Sequence, residues 1–278
     1  MRVSVLVCAL IVTGISAAAT AVECSMTYGG IDRSYVVLTP DAAPGPDGYP
    51  LIIGLHGTGA SGAQFILTAA LVPLADARGV MAVCPDALMF ENYTYFNAGG
   101  PFEDLTGGTD DIGFVSAMLD TVLAGYDVDP SRVYVMGFSN GSAMAYRVAA
   151  QMSDRIAALG AVSGQMVYEY CNPAEHVPLI HFHGLSDRFI PFEGNGAGIP
   201  SVQSVIDIWR GINGCTGSAE TICDRNGILG LRWESAGGDG EVELYTIQDQ
   251  EHEWPRLSSL QISATNVIWE FMEGCRRN

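Results

Sequence analysis

Apolar residues in this chain fall into short continuous runs separated by longer stretches with helical spacing. Leu51-Ile52-Ile53-Gly54-Leu55, Val80 to Cys84, Arg132-Val133-Tyr134-Val135-Met136, Ala157 to Val162 and Leu179-Ile180-His181-Phe182-His183 are runs of the first kind. A run without polar alternation suits a strand covered on both faces. Tyr35-Val36-Val37-Leu38 and Val242 to Ile247 add two further strands. The intervening stretches predict helices at about 63–77, 112–123, 142–150, 202–212 and 264–273, the second with an aspartate of the pair Asp110-Asp111 as its N-cap. Strands alternating with helices imply an α/β domain whose mostly parallel, doubly wound sheet carries helices on both faces.

In open sheets of this kind, functional loops gather beyond the carboxyl ends of the strands. Three strand ends carry residues able to do chemistry. One is His56-Gly57-Thr58, another Gly137-Phe138-Ser139-Asn140-Gly141, and the third Gly184-Leu185-Ser186-Asp187. In the second, a strand passes through a sharp turn into a helix with serine at the apex. So tight a turn needs small residues on both sides of the serine and leaves its hydroxyl exposed above the sheet. Ser139 is therefore the candidate nucleophile, the alternative being an ordinary strand-to-helix turn.

A serine nucleophile on this scaffold is followed in the chain by an acid and then a histidine. The five histidines are His56, His176, His181, His183 and His252, and only His252 lies beyond the candidate acid loop. It follows the Val242 to Ile247 strand in a polar loop, where a reachable imidazole would sit; a surface histidine among glutamates is the alternative. Asp187 is the candidate acid, able to accept the second imidazole N–H. A turn aspartate is its alternative, with Glu193 as the substitute acid. His181 and His183 occupy alternate positions of one strand and read as packed structural histidines, His183 ordering the acid loop. The backbone N–H groups of Asn140 and Thr58 are the candidate oxyanion donors.

Composition narrows the function. The formal charge is −18, and all 13 basic residues are arginines. Such a surface excludes nucleic acid as a partner. The N-terminus, Met1-Arg2 followed by an apolar run to about Ile15 and small residues to Ala21, has the pattern of a secretory signal peptide over 1–21, and the run is too short for a stable membrane anchor. Residues 22–278 then form one catalytic domain, secreted or periplasmic. Removing Cys8 leaves Cys24, Cys84, Cys171, Cys215, Cys223 and Cys275, an even set that suggests disulfides in an exported chain. Cys215 with Cys223 is the expected local bridge, while Cys84 reads equally as a bridged or a buried free cysteine. No spacing resembles a zinc site, and neither metal nor cofactor is called for.

Phe90 to Pro101 mixes aromatics, including Tyr95, with turn residues and reads as a packed loop or a cleft wall. Trp254, two residues past His252, is the stronger candidate for a cleft wall. The blocks LHGTGASG at Leu55, TDDIGFVSAMLD at Thr109, GFSNGSAMAYRVA at Gly137, HFHGLSDRFIPF at His181 and HEWP at His252 together resemble the polyhydroxybutyrate depolymerase and feruloyl esterase family of α/β-hydrolases, akin to carbohydrate esterase family 1. The resemblance spans nearly the whole mature chain. It implies an α/β-hydrolase fold and a serine esterase with Ser139, Asp187 and His252 as nucleophile, acid and base and Thr58 and Asn140 at the oxyanion hole. It implies substrates such as hydroxyalkanoate polyester or oligomers, or feruloyl and acetyl esters of plant polysaccharide. Ser142 after the elbow and Gln248-Asp249-Gln250-Glu251 before the histidine depart from the glycines usual there, which bears on substrate rather than on catalysis. A serine peptidase of the same fold and a non-catalytic binding module are the other classes open to the chain.

Overall fold

A computed structural model describes residues 6–8, 18–167, 172–196, 199–257 and 262–277. Its main sheet has eleven strands. In chain order they begin with β1 (Leu6–Cys8), β2 (Thr20–Tyr28), β3 (Ile31–Thr39), β4 (Tyr49–Leu55) and β5 (Met81–Pro85). The short β6 (Leu88–Phe90) and β7 (Tyr93–Tyr95) form a separate hairpin. Then come β8 (Val128–Phe138), β9 (Ala158–Val162), β10 (Leu179–Gly184), β11 (Glu220–Arg225), β12 (Ile228–Trp233) and β13 (Val242–Ile247). The spatial order is β1-β2-β3-β5-β4-β8-β9-β10-β13-β12-β11. From β5 to β13 every neighbouring pair is parallel, and both flanks are antiparallel.

The helices are α1 (Gly62–Thr68), α2 (Leu71–Arg78), α3 (Pro101–Leu105), α4 (Asp111–Gly125), α5 (Asn140–Gln151), α6 (Val202–Ile212) and α7 (Ala264–Met272). The period-two alternation of strand side chains sorts the core into two halves. On β4, Leu51, Ile53 and Leu55 join α4, α5 and α6 on one face, while Ile52 joins α1, α2 and α7 on the other. The central strands are thus covered on both sides, which is why their sequences run apolar without interruption.

The predicted helix over 63–77 is broken. Proline in a helix interior clashes with the carbonyl four residues earlier and lacks a donor. Pro73 would meet Ala69 in that way, so α1 ends at Thr68, Ala70 takes φ 49°, and α2 restarts with Pro73 in its first turn. The β11–β12 hairpin was not expected, although it turns at Asn226-Gly227, both at positive φ (53° and 73°), the signature of a two-residue hairpin turn.

The cysteine expectations need correction. Cys24, Cys84, Cys215, Cys223 and Cys275 are all free; Cys171 lies outside the described residues. Cys215 and Cys223 are not bridged, and their thiols face different carbonyls. Buried Cys215 lies 2.7 Å from Gly240 O, and Cys223, on the outermost strand, lies 4.0 Å from Ile228 O. Cys84 is a buried thiol whose pKa desolvation raises. Of the N-terminal segment read as a signal peptide, residues 1–5 and 9–17 lie outside the described residues, while Leu6–Cys8 pairs with Glu23 to Ser25 of β2. No helix among the described residues is long and apolar enough to cross a membrane.

Candidate active site

Ser139 sits between β8 and α5 at φ 56° and ψ −121°, a conformation rarely adopted by a residue with a side chain. The small flanking residues are what make it possible. A Cβ on Gly137 would collide with Gly141 O, one on Gly141 with Leu55 O, and one on Gly164 with Ser139 O. The turn therefore packs backbone against backbone, and the serine hydroxyl stands at the carboxyl edge of the sheet.

Three strand ends converge there. Ser139 Oγ lies 2.9 Å from His252 Nε2, and His252 Nδ1 lies 2.7 Å from Asp187 Oδ2. Asp187 Oδ1 accepts the N–H groups of Phe189 and Ile190 at 2.9 and 2.8 Å. A carboxylate accepts and does not donate, so His252 carries its proton on Nδ1 and presents a bare Nε2 to the hydroxyl. Burial by itself would raise the Asp187 pKa, but the hydrogen bonds from His252 and Ile190 and the nearby His252 and His183 outweigh it and hold the carboxyl below its usual range. Asp187, and not Glu193, is the carboxylate against His252. This arrangement is able to pass a proton from Ser139 Oγ to His252 and to stabilise the resulting imidazolium.

The N–H groups of Thr58 and Asn140 have no acceptor among the described residues. For Thr58 the reason is His56, whose role sequence reasoning missed. Buried His56 accepts Ala87 N–H on Nε2 at 3.0 Å, so its proton is on Nδ1, which donates to Gly57 O at 2.7 Å. With the Gly57–Thr58 carbonyl held inward, the trans peptide aims Thr58 N–H the opposite way, into the cavity over Ser139. The Asn140 side chain has a second task. It accepts Phe96 N–H at 2.8 Å and donates to Phe96 O at 3.1 Å, while Asp111 accepts Asn97 N–H at 2.7 Å. Tyr95 is thereby placed on the cavity wall.

That cavity measures about 480 Å³, and Phe65, Tyr95, Phe138 and Phe189 give it an aromatic lining around Ser139, Thr58 and His252. Trp254 does not reach it. The indole is buried, edge-on to Phe65, with Nε1 donating to Thr265 Oγ1 at 2.9 Å, so it backs Phe65 and Phe138 and lines instead an adjoining cavity that shares His252 with this one. A buried aromatic two residues past His252 was legible; the direction of its ring was not.

His181 and His183 are packed as expected, and their protons can be assigned. His183 Nε2 donates to Ile190 O at 2.8 Å, so its Nδ1 accepts from His181 Nε2 at 3.1 Å, and His181 Nδ1 accepts the Tyr146 hydroxyl at 2.7 Å. Every member of this chain is neutral. It ends 3.7 Å from Asp187 Oδ2 and ties the acid loop to β10.

Burial lowers the pKa of His56, His181 and His183. The unfolded chain therefore binds protons at these sites below about pH 6.5, where the folded chain does not. Their contribution to stability is full above that value and is lost as pH falls toward the folded pKa values. Urea unfolding at pH 7.5, 6.5 and 5.5 is expected to show a falling midpoint, and equal midpoints would contradict the neutral assignment.

A largely parallel sheet with a strained serine between strand and helix, and an acid and a histidine on two later strand ends, defines the α/β-hydrolase fold. The ferulic acid esterase of Anaeromyces mucronatus superposes with a TM-score of 0.64 at 14% identity, covering 95% of this chain and 93% of that one. The chain belongs to the esterase PHB depolymerase family, whose model matches residues 33–180. Among relatives, feruloyl esterase B of Piromyces equi is 24% identical over 233 residues, 79% of this chain and 42% of that protein. The bifunctional acetylxylan esterase/xylanase XynS20E of Neocallimastix patriciarum is 27% identical over 62% of this chain and 23% of its own length. The chain thus spans less than half the length of these two relatives.

Proposed function

We propose that the chain is an exported serine esterase acting on feruloyl or acetyl esters of plant polysaccharide. The observation that carries this reading is the hydrogen-bonded series Asp187–His252–Ser139 facing two unpaired N–H groups across an aromatic-lined cavity. His252 takes the Ser139 proton as Oγ attacks the ester carbonyl, and the Thr58 and Asn140 N–H groups receive the charge developing on the carbonyl oxygen. His252 then protonates the leaving alcohol, and the acyl-serine is cleared by a water that His252 deprotonates. No step requires a metal or cofactor. The names of the relatives favour feruloyl and acetyl groups, and Phe65, Tyr95 and Phe189 offer planar apolar walls to an aromatic acyl group. Export rests on the N-terminal sequence pattern.

The test offers purified protein methyl ferulate, acetylated xylan, a hydroxybutyrate trimer and a chromogenic peptide amide in parallel. Release of ferulate or acetate is expected. Release from the trimer alone would make the chain a polyester hydrolase, and cleavage of the amide alone a peptidase. An organophosphonate is expected to label the protein at Ser139, read by peptide mass.

The role assigned to His56 has its own expected result. His56→Phe removes the shorter of two hydrogen bonds to Gly57 O, leaving only Ala60 N–H at 3.2 Å, and so loosens that peptide. Misaiming one oxyanion donor is expected to lower kcat by about 10²-fold with a small change in KM. An unchanged kcat would show that the Thr58 peptide is held without His56.

A further inference from the structure

A second cavity of about 350 Å³ lies beyond His252 from the first, sharing Thr68, Phe138 and His252 with it. Its remaining wall is more polar, for Gln250, Glu253 and Arg256 line it together with Trp254, in place of Phe65, Tyr95 and Phe189. Gln250 is only 4% exposed, and its buried Nε2 has no hydrogen-bond partner. A buried amide nitrogen left unpaired is destabilising. Arg256 is anchored at the rim through Nη2, which donates to Leu67 O at 3.3 Å and Thr68 O at 3.0 Å at the end of α1. Of these, Gln250 lies in the segment that departs from the glycines usual before the histidine, and Glu253 and Arg256 follow the histidine.

Resting on the esterase reading above, we infer that this second cavity is the subsite for the leaving alcohol and that it selects a neutral, polyhydroxylated alcohol such as a sugar residue. The leaving oxygen must lie within hydrogen-bond reach of His252 Nε2 to be protonated. The acyl side is occupied by the oxyanion donors and aromatic walls, so the alcohol is left to extend past His252 into the second cavity. A hydroxyl both donates and accepts. The wall matches that duality, with Arg256 as donor, Glu253 as acceptor and Thr68 and Gln250 offering both. An apolar alcohol would leave these groups unpaired. A carboxylate-bearing alcohol would be drawn by Arg256 but repelled by Glu253 in the same wall, on a chain of net charge −18.

The experiment compares three esters of one acid, namely methyl ferulate, feruloyl-arabinose and the ferulate ester of 3-hydroxybutyrate. The parent protein is expected to show a kcat/KM for the arabinose ester at least about tenfold above that for the methyl ester, the factor carried by 1.4 kcal/mol. Arg256→Ala and Glu253→Ala, made separately at exposed positions, are each expected to bring that ratio down severalfold, with Arg256→Lys recovering part of the loss. A parent ratio near one, a ratio unmoved by both alanine variants, or a preference for the hydroxybutyrate ester would overturn the inference. Ser139→Ala is the internal control. Should the parent cleave none of the three, or the Ser139→Ala variant match it, the esterase reading falls and the subsite with it, whereas a parent active through Ser139 but indifferent to the alcohol loses the subsite alone.

Discussion

Ser139→Ala is expected to lower kcat on any ester the parent cleaves by a factor on the order of 10⁶, with KM nearly unchanged. The substitution removes the one oxygen that attacks, while the cavity wall, the Thr58 and Asn140 N–H groups and the His252–Asp187 pair stay in place. Binding therefore persists, and a residual rate above that in water is expected from the oxyanion donors alone. Stability is expected to change little. The φ of 56° is as costly for alanine as for serine, and Oγ bonds only His252, so a matching thermal midpoint would show that lost activity is not lost fold. A variant that retained a tenth of the parent's kcat would show that Ser139 is only the apex of a structural turn.

Asp187→Asn is expected to cost about 10⁴ in kcat. The geometry gives the reason. Two backbone N–H groups, from Phe189 and Ile190, point at Oδ1, so the amide oxygen of an asparagine must stay on that side. Its Nδ2 then faces His252 Nδ1 and can only donate. His252 is forced to carry its proton on Nε2, toward Ser139 Oγ, where it can no longer accept one. The parent also has a pH limit that the variant lacks. Because the folded-state pKa of Asp187 is depressed, its contribution to stability is present above the unfolded carboxylate value near 3.9 and is lost as pH falls through the folded value. Measuring kcat for Asp187→Asn beside Glu193→Gln checks the assignment. A Glu193→Gln loss as large as that expected for Asp187→Asn, with Asp187→Asn near parental activity, would transfer the acid role to Glu193.

How much of this was legible beforehand depends on how far apart the deciding residues lie. The central strands were readable because burial on both faces writes itself into continuous apolar runs, as in Leu51 to Leu55. The break at Ala70 was readable in principle from Pro73, and the β11–β12 hairpin from Asn226-Gly227; both are local rules that the longer apolar periodicity obscured. The cysteines failed for a different reason. Proximity in sequence brought Cys215 and Cys223 together on paper, but Cys215 is buried just past the helix Val202–Ile212 and Cys223 sits on the outermost strand.

The residue types and chain order of Ser139, Asp187 and His252 were set by sequence alone, since the elbow needs its glycines and only one histidine follows the acid loop. Their distances were not, because His252 stands 65 residues from Asp187 and 113 from Ser139, and only strand register brings them within hydrogen-bond reach. The same holds for direction. A sequence names His56, Asn140 and Trp254, but whether a ring faces the cavity, pins a peptide or backs a neighbour is decided by the packing of elements far apart in the chain. Local rules act over a few residues, and side-chain direction in the core is settled by contacts that only the folded sheet creates.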